Sequence, residues 1–246
     1  MQILISPVSV EEALCVARGG ADIVDVKNTD EGSLGANFPW VIRDVVGALA
    51  EFPVTFSATL GDLPHKPGTA ALAALGATYA GARYVKAGLY DIADEQQAIE
   101  VMNAVGRACR DEAEDTIVVA AGYADWRCFG GLDPLTIIAA ARAAGADAVM
   151  IDTALKDGKT LFDNMNIAEI AEFVKRGHEC GLKVALAGGI GRSHLPQLVE
   201  IGPDIIGVRG AVCADADRTT VIREELVRSF ITEVRCQVDA KSTVQA

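Results

Sequence analysis

Short apolar runs, several of them ending on an ionisable residue, alternate along the chain with longer segments of mixed apolar and polar residues. The short runs predict eight β-strands and the longer segments predict eight helices. The predicted strands cover residues 2–6, 22–27, 54–59, 84–87, 116–121, 148–152, 183–187 and 205–208. The predicted helices cover residues 9–18, 39–50, 69–80, 95–110, 134–144, 167–180, 192–200 and 219–234.

This alternation predicts an α/β fold, a single-domain (β/α)8 TIM barrel, and 246 residues are a suitable length for it. Glycine-rich turns at 19–22, 144–147 and 202–204 mark the passages from helix to strand. A doubly wound open sheet is the alternative that the same alternation leaves open. The catalytic domain is expected to span 1–235, with 236–246 as a flexible C-terminal tail.

Composition narrows the class of partner. Half of the residues are hydrophobic but only 5% are aromatic, which is typical of helices packed on a parallel sheet. The net charge of −12 argues against nucleic acid and against an anionic membrane as a partner. The sequence contains no signal-peptide pattern, no apolar run of the roughly 18 residues that a membrane span needs, no CxxC pair and no metal-ligand spacing. We therefore expect a cytoplasmic protein with reduced thiols.

Three predicted strands have ionisable residues at or next to their ends. Asp25 and Lys27 follow an apolar run and lie two residues apart, so in an extended strand their side chains share one face. Lys86 lies one residue before the end of the fourth predicted strand, and Asp152 ends the sixth. In a TIM barrel the C-terminal strand ends form the active-site rim. Charged groups on an interior face must be paired, solvated or used in chemistry, so these four residues are catalytic candidates.

Lysine chemistry explains why such a cluster points to an enzyme. Desolvation and neighbouring cations favour the neutral amine, which can add to an aldehyde or ketone and form a Schiff base. The two aspartates would act as general acids and bases or orient the amines. Lys156 is close enough in sequence to Asp152 to reach the same rim. Spacing alone does not decide which lysine is the nucleophile.

Glycines follow the last two predicted strands and indicate a phosphate site. AGGIG at 187–191 follows strand seven, and GVRGA at 207–211 spans the end of strand eight. Glycines allow backbone N–H groups to approach an anion, and an arginine can add a bidentate contact. The predicted phosphate-binding residues are Gly188, Gly189, Gly207, Arg209 and Gly210. Tight turns without a ligand are the alternative.

Two long loops, 28–37 and 61–68, follow the second and third predicted strands. Long loops at this end of a barrel usually cover the active site, although plain surface loops remain possible. The second loop contains His65, which could titrate near neutral pH.

The sequence resembles the (5-formylfuran-3-yl)methyl phosphate synthase family, also called 4-(hydroxymethyl)-2-furancarboxaldehyde-phosphate synthase. The resemblance extends from residue 3 to about 235 and is carried by DVKN (25–28), EGSLGAN (31–37), SAT (57–59), GDLP (61–64) and KPG (66–68). It implies a TIM barrel that condenses two molecules of glyceraldehyde 3-phosphate into a phosphorylated furan, with loss of phosphate and water. The product would serve the biosynthesis of methanofuran-type carriers.

The resemblance also implies roles for individual residues. It implies a Schiff-base lysine at Lys27, a proton-transfer lysine at Lys86, supporting acids at Asp25 and Asp152, and a further lysine at Lys156. It implies a lyase without cofactor or metal, acting on a phosphorylated triose. We also expect a homo-oligomer.

Two other functions remain open at this stage. The chain could be another Schiff-base aldolase or an isomerase acting on a small phosphosugar. It could also bind a phosphometabolite without catalysis, although the lysines and aspartates in one phase argue against that.

Overall fold

Eight parallel strands close into a barrel in the computed structural model, which describes residues 1–245. Each strand pairs with its sequence neighbours, and the first strand pairs with the eighth from Gln2↔Ile205 to Ile5↔Val208. This closure confirms the TIM barrel and excludes the open sheet. The strands are β1 (Gln2–Ile5), β2 (Ile23–Val26), β3 (Thr55–Pro64), β4 (Tyr84–Asp91), β5 (Ile117–Tyr123), β6 (Ala148–Asp152), β7 (Lys183–Leu186) and β8 (Ile205–Val208).

Helices follow the strands and cover the outside of the barrel. They are α1 (Val10–Gly19), α2 (Pro39–Ala48), α3 (Pro67–Tyr79), α4 (Glu95–Glu112), α5 (Pro134–Ala143), α6 (Leu161–Asn164), α7 (Ile167–Glu179), α8 (Leu195–Ile201) and α9 (Glu224–Gln245). Local sequence determines several of their ends. Ser9 caps α1 by accepting a hydrogen bond from the backbone N–H of Glu12, and Gly20 ends it with a left-handed φ of 92°. In residues 1–245 no helix is both apolar and long enough to cross a bilayer.

The two faces of the strands build two separate cores. Outward residues such as Ile3, Val24 and Val85 pack with the helices, whereas Ile23, Tyr84 and Met150 belong to a smaller interior cluster. Side chains two residues apart on a strand share a face. The residues that follow this interior cluster by two positions therefore also point inward, and they are Asp25, Lys86 and Asp152.

The third and fourth strands are longer than predicted. Residues 61–64, predicted as part of a loop, continue β3, and β4 extends to Asp91. Pairing of Asp62 with Gly88 and of Leu63 with Leu89, after a register shift, holds this extension together. Sequence could not reveal it because the segment is rich in Gly, Asp and Pro, which are rare in strands.

The C-terminus also differs from the prediction. The last helix begins at Glu224 rather than near residue 219, and it continues to Gln245, so 236–245 is helical rather than a separate tail. Two contacts explain the extension. Val238 packs against the core, and Lys241 Nζ donates to the carbonyl oxygens of Val199 and Glu200 at 2.9 and 3.0 Å. Ala246 lies outside the described residues.

Candidate active site

All five side chains predicted as catalytic lie together at the C-terminal end of the barrel. Strand β2 positions Asp25 and, one residue past its end, Lys27, while β4 positions Lys86 and β6 positions Asp152. Lys156 reaches the same place from the loop after β6, and its amine lies 3.1 Å from Asp152 Oδ1. Four of the five are buried, and Lys156 is partly buried.

Lys86 and Asp25 form the deepest ion pair of the site. Lys86 Nζ lies 2.6 Å from Asp25 Oδ1, and Ser6 Oγ donates to Asp25 Oδ2 at 2.9 Å. Burial lowers the pKa of Lys86, and the nearby Lys27 adds to the effect, although Asp25 opposes it. Burial raises the pKa of Asp25, but Lys86 and Lys27 outweigh it and the pKa is lowered overall.

Asp152 lies between two amines. Lys156 Nζ is 3.1 Å from its Oδ1, Lys27 Nζ is 3.8 Å from its Oδ2, and the backbone N–H of Thr153 donates to Oδ1 at 2.7 Å. Burial opposes ionisation, yet Lys156 and Lys27 together hold the pKa of Asp152 at about 2. Burial also lowers the pKa of Lys156, against the pull of Asp152 and with the help of Lys27.

The charges of this cluster do not balance. It contains three amines but two carboxylates, and Asp25 is matched with Lys86 while Asp152 is shared by Lys27 and Lys156. One amine therefore has no carboxylate of its own. An amine without its own carboxylate in a desolvated site is suited to binding an anion. The geometry thus suits both amine chemistry and a phosphorylated ligand.

The loop 28–37 lies over Lys27. Lys27 Nζ donates to the carbonyl oxygen of Ser33 at 3.2 Å, and Asn37 Nδ2 donates to the carbonyl oxygen of Lys27 at 3.3 Å. The expectation that this loop covers the site agrees with these contacts. In the other predicted loop, His65 contacts Glu100 Oε2 at 2.8 Å on α4, and both side chains are well exposed.

A cavity of about 500 Å³ opens beside Lys27. All five residues predicted to bind phosphate contribute to its wall, namely Gly188, Gly189, Gly207, Arg209 and Gly210. Gly188 has a φ of 99°, and a Cβ there would lie 2.9 Å from Thr153 Cγ2, so this position favours glycine for both conformation and space. Asp25, Lys27, Asp152 and Lys156 line the same cavity.

Arg209 lines the cavity, but its guanidinium bonds to the protein itself. Nη1 donates to Glu12 Oε2 at 2.8 Å and to the carbonyl oxygen of Ser6 at 2.9 Å, while Nη2 contacts Glu12 Oε1 at 3.3 Å. Nε and Nη2 also donate to the carbonyl oxygens of Arg218 and Thr220. All five N–H donors have protein acceptors, so the guanidinium has no free donor for the predicted bidentate phosphate contact.

The sequence did not predict two cationic residues and three hydrogen-bonding residues of the site. Lys159 and Arg218 line the cavity, and Arg218 is close enough to Lys156 to contribute to the lowered pKa of that amine. Ser33, Asp62 and Tyr123 tie the loop over Lys27 to the barrel. The motifs at 31–37 and 61–64 contained the signal for two of them, but nothing in the sequence pairs these segments. Within residues 1–245 no group of three or more potential ligands could hold a metal ion.

Comparison with known proteins shows the family of the chain. The family model described as 4-HFC-P synthase matches residues 3–231, almost the whole barrel. The chain belongs to the 4-HFC-P synthase family. A (5-formylfuran-3-yl)methyl phosphate synthase from Methanosarcina barkeri is 53% identical over 238 residues, covering 96% of this chain and 100% of that protein. The synthase of the same name from Archaeoglobus fulgidus is 52% identical over 234 residues, covering 95% and 99%. The resemblance seen in the sequence is confirmed.

Solved structures support the fold alone. The 3-hexulose-6-phosphate synthase from Salmonella typhimurium has a TM-score of 0.63 at 17% identity, over 95% of this chain and 100% of that one. Deoxyribose phosphate aldolase from Aeropyrum pernix has a TM-score of 0.60 at 18% identity, over 86% and 85%. At these identities the likeness establishes a shared barrel, and function rests on the site and the family.

Proposed function

We propose that this protein condenses two molecules of glyceraldehyde 3-phosphate into (5-formylfuran-3-yl)methyl phosphate for the biosynthesis of a methanofuran-type carrier. Family membership supports the product. The observation that carries the chemistry is the amine of Lys27, on the wall of a cavity where amines outnumber carboxylates. All six carbons of the two trioses remain in the product, and one inorganic phosphate and two waters leave. The reaction therefore needs no oxidant or reductant.

The first step forms a Schiff base. The lone pair of the Lys27 nitrogen attacks the aldehyde carbon of one triose phosphate, and the carbonyl π electrons move to oxygen. That oxygen takes one proton from the nitrogen and one from a neighbouring acid, and it leaves as water. The resulting iminium withdraws electrons from the adjacent carbon and acidifies its C–H bond.

Proton transfers then build the new carbon–carbon bond. A base removes the acidified proton, and the C–H electrons move toward nitrogen to form an enamine. The enamine then expels phosphate from the third carbon of that triose, with the electron pair on the phosphate oxygen, and leaves an unsaturated iminium. A base removes the C2 proton of the second triose, and this C2 carbon attacks the carbon that phosphate left. Lys86 and Lys156 are suited to these transfers because burial lowers the pKa of both amines, and each lies against a carboxylate.

Eliminations complete the furan. The C2 hydroxyl oxygen of the first triose attacks the aldehyde carbon of the second triose and gives its proton to a base, while the aldehyde oxygen accepts a proton. Ring closure and loss of two waters give the aromatic ring, whose stability pulls the sequence forward. Hydrolysis of the iminium consumes one water, which balances the water released when the iminium formed. This step frees Lys27.

Two phosphate groups must be held while the trioses react. The glycines at 188–189 and 210 line the cavity and offer close backbone approach, and Lys156, Lys159 and Arg218 supply cations to the same cavity. We assign Arg218 the role that the sequence suggested for Arg209, because Arg209 has no free donor.

Incubation of the purified protein with glyceraldehyde 3-phosphate alone tests the function. We expect a furan chromophore, a product mass that matches (5-formylfuran-3-yl)methyl phosphate, and release of inorganic phosphate. An isomerised triose or a simple aldol product without the chromophore would instead support another aldolase or isomerase. Phosphate binding without turnover would reject an enzyme.

We also propose that the protein assembles with copies of itself. Trp40 on α2, and Leu72 and Tyr79 on α3, expose 57%, 73% and 68% of their surfaces. Burial of these apolar side chains against a second copy would remove them from water. Light scattering of the purified chain measures the assembly directly, and a monomer at all concentrations would reject it.

A further inference from the structure

A clamp made by Asp62 and Tyr123 holds the loop above Lys27. Asp62 lies on the unpredicted extension of β3, and its Oδ2 accepts a hydrogen bond from the backbone N–H of Ser33 at 2.9 Å. Its Oδ1 accepts from the backbone N–H of Leu34 at 3.3 Å and from the hydroxyl of Tyr123. Gly32, with a φ of 128°, permits this approach, because a Cβ there would lie 2.1 Å from Asp62 Oδ2.

Tyr123 is built to donate to this carboxylate. It ends β5, it is 1% exposed, and its ring packs edge-on against Phe129 and Tyr90. Burial and the adjacent Asp62 raise the pKa of the phenol well above its ordinary value. The hydroxyl therefore keeps its proton, and a buried donor of this kind remains bound to its acceptor.

Ser33 connects the clamp to two of the amines that line the cavity, those of Lys27 and Lys156. Its carbonyl oxygen accepts from Lys27 Nζ at 3.2 Å, and its hydroxyl donates to the carbonyl oxygen of Thr153 at 2.7 Å. That same carbonyl oxygen of Thr153 accepts from Lys156 Nζ at 2.6 Å. A displacement of Ser33 would therefore change the surroundings of Lys27 and Lys156 together.

We propose that Asp62 and Tyr123 are positioning residues for Schiff-base formation, because they hold the Ser33 carbonyl against Lys27 and thereby aim the amine at the substrate carbonyl. The inference rests on the proposed Schiff-base chemistry. A neutral amine has two N–H bonds and one lone pair. If the Ser33 carbonyl holds one N–H and Asp152 attracts the other, the lone pair is directed into the cavity. A free amine would rotate and lose this alignment.

The substitution Tyr123→Phe tests the clamp because it removes only the hydroxyl. We expect kcat and the rate of borohydride trapping at Lys27 to fall about tenfold, with KM changed less than twofold. The matched control is Tyr90→Phe, which changes a neighbouring ring of the same aromatic cluster and should retain both rates. Thermal unfolding of both variants reports on the fold.

Asp62→Asn is the second variant, since an amide nitrogen cannot accept the hydrogen bonds that one carboxylate oxygen now accepts. We expect a larger loss of kcat and trapping rate than in Tyr123→Phe. Wild-type trapping rates in Tyr123→Phe would overturn the clamp while leaving the function intact. A loss of kcat without a loss of trapping would also overturn it, because the clamp acts before the imine. Unchanged trapping in Lys27→Ala would instead overturn the proposed function.

Discussion

Two kinds of cationic side chain surround the mouth of the barrel, and they differ in what binds their N–H donors. Lys86 and Arg209 are held by buried carboxylates of the protein itself, at distances of 2.6 and 2.8 Å. Lys27 lies 3.8 Å from the nearest carboxylate that it shares, and Arg218 lines the cavity. All four occur where the sequence pattern predicts active-site rim or loops, but the protein already pairs the first two closely with buried carboxylates.

A charged residue at a strand end can therefore act directly on a substrate only if the fold does not already hold it in a close pair. A close buried pair neutralises both partners and fixes their positions, and it serves the site through its field or its proton. A cation on the cavity wall keeps the freedom to attack a carbonyl or to bind a phosphate. We therefore propose Lys27 as the nucleophile and Lys86 as its electrostatic partner.

Lys27→Ala is the strongest test of this comparison. Without the amine no Schiff base forms, so we expect kcat to fall by about 1,000-fold or more and borohydride trapping to disappear. Reductive trapping followed by peptide mass mapping measures the adduct. The control is Lys175→Ala, a lysine exposed on α7, which should trap like the wild type. An adduct on Lys86 instead of Lys27 would reverse the two roles.

Lys86→Met tests whether proton transfer can be lost while Schiff-base formation at Lys27 is retained. We expect about a 100-fold loss of kcat because a proton carrier is gone, while trapping at Lys27 persists. The variant also leaves Asp25 buried without its cation, so the free energy of unfolding should fall by about 3 kcal/mol. The double variant Lys86→Met/Asp25→Asn should regain part of that stability without regaining activity, as measured by urea unfolding and assay. Full turnover in Lys86→Met would contradict the proton-transfer role.

The same residues show which parts of the site the sequence could predict. The period-two pattern placed Asp25, Lys27, Lys86 and Asp152 on one inward face, since a barrel strand has only two faces and the apolar residues occupied both cores. Lys156 followed from its distance along the chain. These predictions depend on local geometry, and the structure brings the five side chains together.

The sequence did not predict the contacts of side chains whose hydrogen-bond partners are distant in the chain. Arg209 was expected to bind phosphate. Its true acceptor, Glu12, lies 197 residues away in the sequence, and no local pattern pairs the two. Asp62 escaped for the same reason, because its partners Ser33 and Tyr123 lie on other strands and loops. Long-range hydrogen bonds depend on register and loop conformation, which a single sequence does not specify.

The ion pairs of Asp152 with Lys27 and Lys156 should make the stability of the fold depend on pH in acid. The pKa of Asp152 is about 2 in the folded protein against an ordinary 3.8, because the two amines favour its charged form. The stability it contributes, about 2 kcal/mol, is therefore fully present above pH 4 and is lost as the pH falls toward 2. Asp152→Asn should unfold more easily than the wild type at pH 7, and this gap should close in acid.

Urea unfolding at several pH values measures the gap. Asp111→Asn is a suitable control, because that carboxylate belongs to an exposed pair with Arg107 at 3.6 Å and should show almost no gap. A gap of constant size from pH 7 to pH 2 would mean that the amines around Asp152 do not stabilise its charge.

The two arginines give the smallest expected effect and the sharpest contrast. Arg218→Ala should raise KM about tenfold, since one charge-assisted contact to phosphate is lost, and it should leave the unfolding free energy nearly unchanged. Arg209→Ala should instead lower the unfolding free energy and leave KM nearly unchanged. It leaves the buried Glu12 without the arginine that lowers its pKa against burial, and it removes the hydrogen bonds to the carbonyl oxygens of Arg218 and Thr220. Substrate titration and urea unfolding on both variants compare them. If Arg209→Ala changed KM alone, the guanidinium would have to leave Glu12 to reach the phosphate, and occupied donors would no longer exclude a role in binding.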